Sequence, residues 1–341
     1  MKTRASVIGS LILLGVLAVV PWVVSNSYIM HILILALIYL VVVAAWDLIM
    51  GFGGVFSFGQ VAFFVIGAYA AGMLSVELHL SPWLAMVAGA GVTAGVAAAL
   101  ALPVLRVRGD YVALITYALA LLLPTLIVQG SFLGTGGSAG LVGVPNLTIG
   151  SYAFSPLVKG PWFYGALVIA ALSIFLIYRV ILRSSFGLAL TAMRDADGFA
   201  QSLGVNQYRT KILLFAASGL FTGLAGGYYA FYTAAVSQRL LGLDFFLLIM
   251  VMLTVGGLAR YPGVIVGTFI FAFTSEYLKI APEWRMVILG VIIIVAVLTL
   301  PQGLVALPTS IRQALDRRRR SNDSTPGPDK WTHAEGSGSA G

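Results

Sequence analysis

Cysteine is absent from all 341 residues of the chain, and histidine occurs at only three positions, His31, His79 and His333. The absence of thiols excludes a disulfide framework and a thiolate metal site. Three scattered histidines do not make a histidine metal centre. No Gly-Lys pair occurs, which excludes a phosphate-binding loop of the G-x-x-x-x-G-K-[ST] type, and no nucleophile–base motif indicates an enzyme. We therefore expect this chain to bind no metal and no cofactor.

Charged residues are also scarce, at 9% of the chain against 60% hydrophobic residues, and the mean hydropathy is +0.99. A soluble domain carries about a quarter charged residues, so the chain falls outside that class. Apolar runs of about 20 residues recur, and each is long enough to cross a hydrocarbon layer of ~30 Å. The composition therefore predicts an all-α polytopic membrane protein.

Ten apolar runs are candidate transmembrane helices: 6–24, 28–46, 56–75, 84–104, 111–130, 161–181, 211–233, 242–257, 262–280 and 286–305. The first follows Lys2 and Arg4, as in a signal peptide, but it is long and ends in a poor cleavage site, so we expect it to remain as a span. The runs define a transmembrane domain over 1–310. The polar, Pro/Gly/Ser-rich residues 311–341 are typical of a disordered tail.

The positive charges orient these spans. If the N-terminus is cytoplasmic and every run crosses, ten Lys and Arg residues lie in inner segments and six in the tail, against four outside: Lys159, Arg239, Lys279 and Arg285. Because inner loops of membrane proteins are enriched in positive charge, we expect both termini to be cytoplasmic. The run Arg317–Arg320 is not interleaved with aromatic residues, so we assign it to the lipid surface rather than to nucleic acid.

The uncharged stretch GFGGVFSFGQ, residues 51–60, contains four glycines. If it lay wholly outside the bilayer, the span after it would rise only about 24 Å, so part of it is expected at membrane depth. One interpretation is a broken or re-entrant helix whose freed backbone contacts a substrate. The other is an unbroken helix from Val55, in which glycines permit close helix packing.

The broken-helix interpretation makes five residues candidates for a substrate path: Gly51, Gly53, Gly54, Ser57 and Gln60. Asp47 is the one acid beside them, and its place near the inner interface predicts a solvated or capping role. His31 is expected to be packed or hydrogen-bonded. Glu276 and Lys279 are spaced to form an i, i+3 pair at the outer end of the ninth span.

The inner loop 182–210 contains a short amphipathic helix by local rules. Asp195 is a suitable N-cap, Asp197 suits the first turn, and Gly204 is a suitable C′ residue. Between the caps, apolar residues follow helical spacing at Ala196, Phe199, Ala200 and Leu203. The sequence leaves open whether this apolar face binds a partner protein or packs on the membrane and its own chain.

Five segments carry a resemblance to a known family. Residues 183–211, RSSFGLALTAMRDADGFAQSLGVNQYRTK, resemble the cytoplasmic loop of ABC importer permeases. Residues 46–72, WDLIMGFGGVFSFGQVAFFVIGAYAAG, are similar to the most recognisable segment of branched-chain amino-acid permeases. Shorter matches are GTGGSAGLVGVP (134–145), GGLARYPGVIVGT (256–268) and PQGL (301–304). These segments lie in order over about residues 28–305. Together they resemble the second, longer permease type of that family.

The resemblance implies a transport subunit, not an enzyme, in the cytoplasmic (inner) membrane of a prokaryote. Its implied partners are a second homologous permease subunit, ATP-binding-cassette ATPase subunits that use ATP and Mg²⁺, and an extracytoplasmic solute-binding protein. The outer loop 131–160 either helps to receive that protein or to cap the pore, or it is a flexible connector. The residues implied in coupling to the ATPase are Arg194, Asp195, Ala196, Asp197, Phe199, Ala200, Leu203 and Gly204.

The chain departs from the family pattern at two points. Gln60 stands where the family commonly has histidine, and Gly198 lies where the family has a glutamate-rich run followed by paired alanines. The implied solute is a branched-chain or related amino acid, with urea, amides or small carboxylates as the alternative for the same machinery. An ATP-independent transporter or channel is less well supported, because no set of intramembrane carboxylates indicates ion coupling.

Overall fold

The computed structural model describes residues 19–299 apart from 25, 105–106, 108–110, 151, 156 and 281. Most of the first predicted span, the PQGL match and the predicted tail over 311–341 lie outside the described residues.

Nine of the ten predicted spans have a helix at their position within the described part of the chain. In chain order the helices are α1 Ser27–Asp47, α2 Gln60–Val76, α3 Pro82–Val104, α4 Tyr111–Gln129, α5 Lys159–Phe175, α6 Ser185–Asp195, α7 Asp197–Ser202, α8 Gln207–Thr233, α9 Leu243–Gly256, α10 Gly263–Tyr277 and α11 Pro282–Thr299. This architecture confirms the prediction of an all-α polytopic membrane protein.

Two of the long helices end in a π-helical segment. α1 continues through Leu48–Phe52 and α5 through Leu176–Ile181. With these segments, five helical stretches among the described residues are long and apolar enough to cross a membrane: Ser27–Phe52, Pro82–Val104, Tyr111–Phe132, Lys159–Ile181 and Gln207–Thr233. By contrast, α2, α9 and α10 have 17, 14 and 15 residues and rise only about 21–26 Å.

The core is built around α1, whose residues from Ile32 onward are almost all buried. α1 packs against α5, α8, α9 and α10, and α8 packs against α2 and α3. Glycines bring α2 and α8 very close: a Cβ added at Gly226 would lie 2.0 Å from the carbonyl oxygen of Phe64. Small residues at such interfaces let helix backbones approach, as in other membrane bundles.

The long loop between α4 and α5 packs onto the bundle. Its strand β1 (Leu141–Val142) pairs antiparallel with β4 (Ala235–Val236), which follows α8. Strands β2 (Thr148–Ile149) and β3 (Tyr152–Ala153) form a small hairpin. The side chains of Leu141, Val144, Leu147 and Phe154 are buried. The loop is therefore a packed cap rather than a loose connector.

We call the end of the bundle that carries Asp47, Arg194 and Ala259 the Arg194 end. The opposite end, with the cap and Glu276, is the Lys159 end.

Candidate functional site

The glycine-rich stretch breaks the helix. Backbone from Gly53 to Gly59 is not helical, and α2 begins at Gln60, so an unbroken helix from Val55 is not what forms. Side chains satisfy part of this irregular backbone: the indole of Trp46 donates to the carbonyl of Ser57 (2.7 Å), and the amide of Phe58 donates to Thr116 Oγ1 (2.9 Å). Irregular backbone inside a membrane protein requires such protein partners, so the segment is built into the bundle.

Gln60 lies in a buried polar cluster between α2 and α8. Its Nε2 donates to Ser218 Oγ (3.1 Å) and to Thr222 Oγ1, and Ser218 Oγ in turn donates to the carbonyl of Ala45 (2.7 Å). Ser57 is also buried, and its Oγ accepts from the amide of Gly59 at 3.4 Å. The structure therefore places both predicted substrate-path side chains in the hydrogen-bonded interior. Their contact with a solute stays a prediction.

Asp47 occupies a different place from the one predicted. It is 0% exposed, so its predicted solvated role is wrong. Its Oδ1 accepts from the amide of Ala259 (2.7 Å) and its Oδ2 from the hydroxyl of Tyr178 (2.8 Å). These donors are far away in sequence, in the connection after α9 and in the π segment of α5. No local pattern around Asp47 could have identified them.

The glycines at 51–54 contact the loop 182–210. The Arg194 guanidinium donates through Nη1 to the carbonyl of Gly51 (3.0 Å) and through Nε to Asp195 Oδ1 (2.8 Å). A Cβ at Gly54 would lie 2.6 Å from Arg194 Cγ, and one at Gly53 would lie 2.4 Å from Leu214 Cδ2. The predicted substrate-path glycines and the predicted coupling residue Arg194 therefore form one cluster.

The loop 182–210 contains two helices where local rules predicted one. Asp195 ends α6 instead of capping the next helix, and Ala196 separates α6 from α7 with φ −156°. The prediction of Asp195 as N-cap is wrong, because the GLALTAM stretch propagates α6 through it. The C-terminal prediction is confirmed: Gly204 has φ +87°, and the amide of Val205 donates to the carbonyl of Ala200.

The apolar residues of α7 and its end divide between two environments. Ala200 is 1% exposed and packs on its own chain, whereas Leu203 is 69% exposed. Ala196 is exposed as well. The side chains of Asp197 and Phe199 lie outside what the structure describes. Leu203 and Ala196 thus leave part of the predicted apolar surface open.

Polar side chains at the Lys159 end pair with each other. Lys279 donates to Glu276 Oε1 at 2.7 Å, as the spacing predicts, and Tyr28 donates to the same oxygen at 2.7 Å. His31 Nδ1 lies 2.5 Å from the hydroxyl of Tyr232 and its ring stacks on that tyrosine, which confirms the prediction of a hydrogen-bonded histidine.

A cavity of about 340 Å³ opens beside the cap, and sequence analysis did not identify it. Its wall includes the aromatic side chains of Tyr39, Tyr229 and Phe245, together with Arg239 and Asp244. Arg239 and Asp244 therefore place side chains of opposite charge beside these rings. These residues come from α1, α8, α9 and the connection 234–242, so only the fold brings them together.

The chain matches a family model described as "Branched-chain amino acid transport system / permease component" over residues 28–297. It is 28% identical over 319 residues to the high-affinity branched-chain amino acid transport system permease protein LivM of Escherichia coli, covering 87% of this chain and 74% of that protein. The LivM protein of Salmonella typhimurium is 28% identical to this chain, and the match covers 84% of this chain and 72% of that protein.

An archaeal relative is the probable branched-chain amino acid transport permease protein LivH of Methanocaldococcus jannaschii. It is 26% identical to this chain, and the match covers 64% of this chain and 70% of that protein. No solved structure matches the chain. The family match includes the broken helix, the loop 182–210 and the helices that surround Asp47. This chain belongs to the family of permease components of branched-chain amino acid transport systems.

Proposed function

We propose that this chain is the membrane-spanning permease subunit of an ATP-binding-cassette importer that moves branched-chain or related amino acids across the cytoplasmic membrane. The family match over residues 28–297 is the observation that carries the proposal. The names of the LivM and LivH relatives support a branched-chain amino acid as the solute. The aromatic rings that line the cavity beside Arg239 support a solute with an apolar side chain over urea.

In this proposal the Arg194 end faces the cytoplasm and both termini are cytoplasmic, as the distribution of Lys and Arg predicts. The residues from Arg194 to Gly204 form the contact with a partner ATPase, which binds ATP and Mg²⁺, while this chain binds no cofactor. A second homologous permease subunit completes the pore. The cap at the Lys159 end receives a solute-binding protein. The exposed side chain of Leu203 supports the placement of the ATPase contact.

Uptake into proteoliposomes tests the transport proposal. The chain is reconstituted with a partner permease subunit, ATPase subunits and a solute-binding protein from the same organism, and uptake of labelled leucine is measured. We expect uptake only with ATP and none with an ATPase that cannot hydrolyse it. Gradient-driven flux through this chain alone would reject the importer. ATP-dependent uptake of urea or acetamide in place of leucine would support the importer but reject an amino acid as its solute.

Replacement of Leu203 tests the ATPase contact. Leu203→Asp places a charge in the surface that the ATPase would bury, so we expect the amount of ATPase that co-purifies to fall at least about tenfold, in line with charge burial at an interface. Leu157→Asp is the matched control, because Leu157 is 87% exposed but lies at the opposite end. Unchanged co-purification of the Leu203 variant would exclude this residue from the contact.

A further inference from the structure

We propose that Arg194 and Asp47 form a mechanical joint that transmits movement of the inner loop to the broken helix between α1 and α2. The joint consists of Asp47, Gly51, Gly54, Tyr178, Arg194 and Ala259. Both side chains act as positioning residues and neither contacts the solute. The inference rests on the proposed function, since it concerns how the ATPase contact drives the pore.

The joint forms where the two π-helical segments meet. Asp47 immediately precedes the π segment Leu48–Phe52, and its carboxylate bonds to Tyr178 in the π segment Leu176–Ile181. The rings of Phe52 and Tyr178 are also in contact, with centroids 5.9 Å apart. π-helical turns occupy less than about 1% of residues in proteins and are frequent at functional sites. Two of them joined by one buried carboxylate mark a place where backbone geometry has been adapted.

The Asp47 carboxylate holds three elements together. It belongs to α1, takes one hydrogen bond from α5, and takes another from the connection between α9 and α10. A fully buried carboxylate is strongly unfavourable without such donors. The ends of these three elements are consequently expected to move as one unit, because separating any of them would leave the carboxylate without a partner.

Arg194 connects that unit to the inner loop. It lies in the last turn of α6, directly before the exposed α7 segment, and donates to the carbonyl of Gly51 at the C-terminal end of the α1 helix. A helix C-terminus has unsatisfied carbonyls and a partial negative charge, so a guanidinium binds well there. Gly54, with φ +64°, presses its backbone against the stem of the same arginine.

Through these contacts, a displacement of α6 and α7 would be transmitted directly to helices in the bundle. A shift of Arg194 would move Gly51 and Gly54. The next helix along the chain is α2, which begins at Gln60 in the buried cluster with Ser218. An ATPase that binds two states of the inner loop with different affinity would thereby bias two states of the helix break.

The test compares transport with ATP hydrolysis in the reconstituted importer. Arg194→Ala removes one residue of the proposed ATPase contact, so we expect a smaller yield of assembled importer. In the importer that assembles, we expect ATP hydrolysis to continue while leucine transported per ATP hydrolysed falls about tenfold, within the usual range of coupling between sites. Arg194→Lys should recover part of the loss, because it restores a donor without the planar fork. Arg260→Ala is the control: it removes a positive charge at the same end, and among the described residues its side chain makes no hydrogen bond.

A second variant changes the backbone side of the contact between Gly54 and Arg194. Gly54→Ala would place a Cβ against Arg194 and disfavour the positive φ, while leaving the exposed residues of α7 unchanged. We expect the same loss of transport per ATP. If Arg194→Ala fails to assemble, this variant supplies the measurement. Normal coupling in Gly54→Ala or in an assembled Arg194→Ala importer would overturn the proposal. Failure of ATP-dependent uptake in the unmodified importer would instead reject the proposed function.

A thiol probe separates transmission from simple stability. The chain has no cysteine, so Phe56→Cys, at a position 55% exposed in the helix break, introduces a single thiol. We expect the rate of modification by a maleimide to change when a hydrolysis-deficient ATPase binds ATP. Adding Arg194→Ala should abolish that change without altering the rate in the absence of ATP. A nucleotide response that persists in the double variant would contradict transmission through Arg194.

Discussion

Two groups of glycines lack room for a side chain, one in α8 and one before α2, but their neighbours differ in kind. Around Gly219, Gly223 and Gly226 the nearest atoms lie on the facing α2 and α3 helices: the Cβ of Ala97, the side chain of Thr93 and the carbonyl oxygen of Phe64. At Gly51, Gly53 and Gly54 the nearest atoms belong to the longer side chains of Asp47, Leu214 and Arg194, and the backbone of Ala259 and of Ile49 comes next at the first two.

This difference separates a fixed interface from a joint. The helix backbones and short side chains that face the α8 glycines cannot yield without moving whole helices, so these glycines set the spacing of the bundle. Longer side chains have rotamer freedom, and a backbone that rests on them can follow their movement. Substitutions of the α8 glycines should therefore lower stability, whereas substitutions at 51–54 should lower the coupling of ATP hydrolysis to transport.

The largest effect is expected at the α8 interface. In Gly226→Ala the new Cβ would meet the carbonyl oxygen of Phe64 at 2.0 Å, and overpacking of this kind typically costs about 1–3 kcal/mol or more. We expect a lower yield of monodisperse protein and a lower melting temperature in detergent. A variant as stable as the unmodified chain would show that α2 and α8 separate easily, against the idea of a fixed interface.

A large effect on transport, with less loss of stability, is expected at Gly51. A Cβ there would lie 2.1 Å from Asp47 Oδ1 and 2.6 Å from the amide of Ala259. Gly51→Ala should disturb the carboxylate and lower leucine transported per ATP by about tenfold, a typical coupling effect. Measuring the melting temperature beside the transport ratio checks the comparison, which fails if stability falls as far as in Gly226→Ala.

An intermediate effect is expected from Ser218→Ala, which removes the donor to the Ala45 carbonyl and a partner of Gln60. Leaving buried polar groups without partners costs about 1–3 kcal/mol. We expect a lower melting temperature with transport per ATP unchanged in the protein that remains folded. A changed transport ratio at normal stability would instead place Gln60 and Ser218 on the solute path.

The smallest effect is expected at Gly95 in α3, where an added Cβ meets no atom within 4 Å. Gly95→Ala should leave transport unchanged and raise helix stability by up to about 1 kcal/mol. Gly89→Ala in the same helix is the contrast, since its Cβ would lie 2.8 Å from the amide of Ala71. Equal melting temperatures for the two variants would show that close approach of helices does not govern stability here.

The sequence by itself determined the class of protein, the position of nine of the described helices and the glycine that ends α7. These features depend on composition, on runs of apolar residues and on the conformations open to glycine, all of which are local. The sequence left residues 51–60 open between a broken helix and an unbroken one, and the structure decided for the break. The family resemblance added the inner loop and its residues from Arg194 to Gly204.

Only the tertiary structure decided the fate of individual polar groups. Asp47 looks solvated in sequence because it lies near the end of a span, yet Tyr178 and Ala259 bury it. The contact of Arg194 with Gly51 and the cavity beside Arg239 and Asp244 likewise join residues from separate elements. Burial and hydrogen bonding depend on distances across the bundle, and helix packing sets those distances in ways that no local pattern encodes.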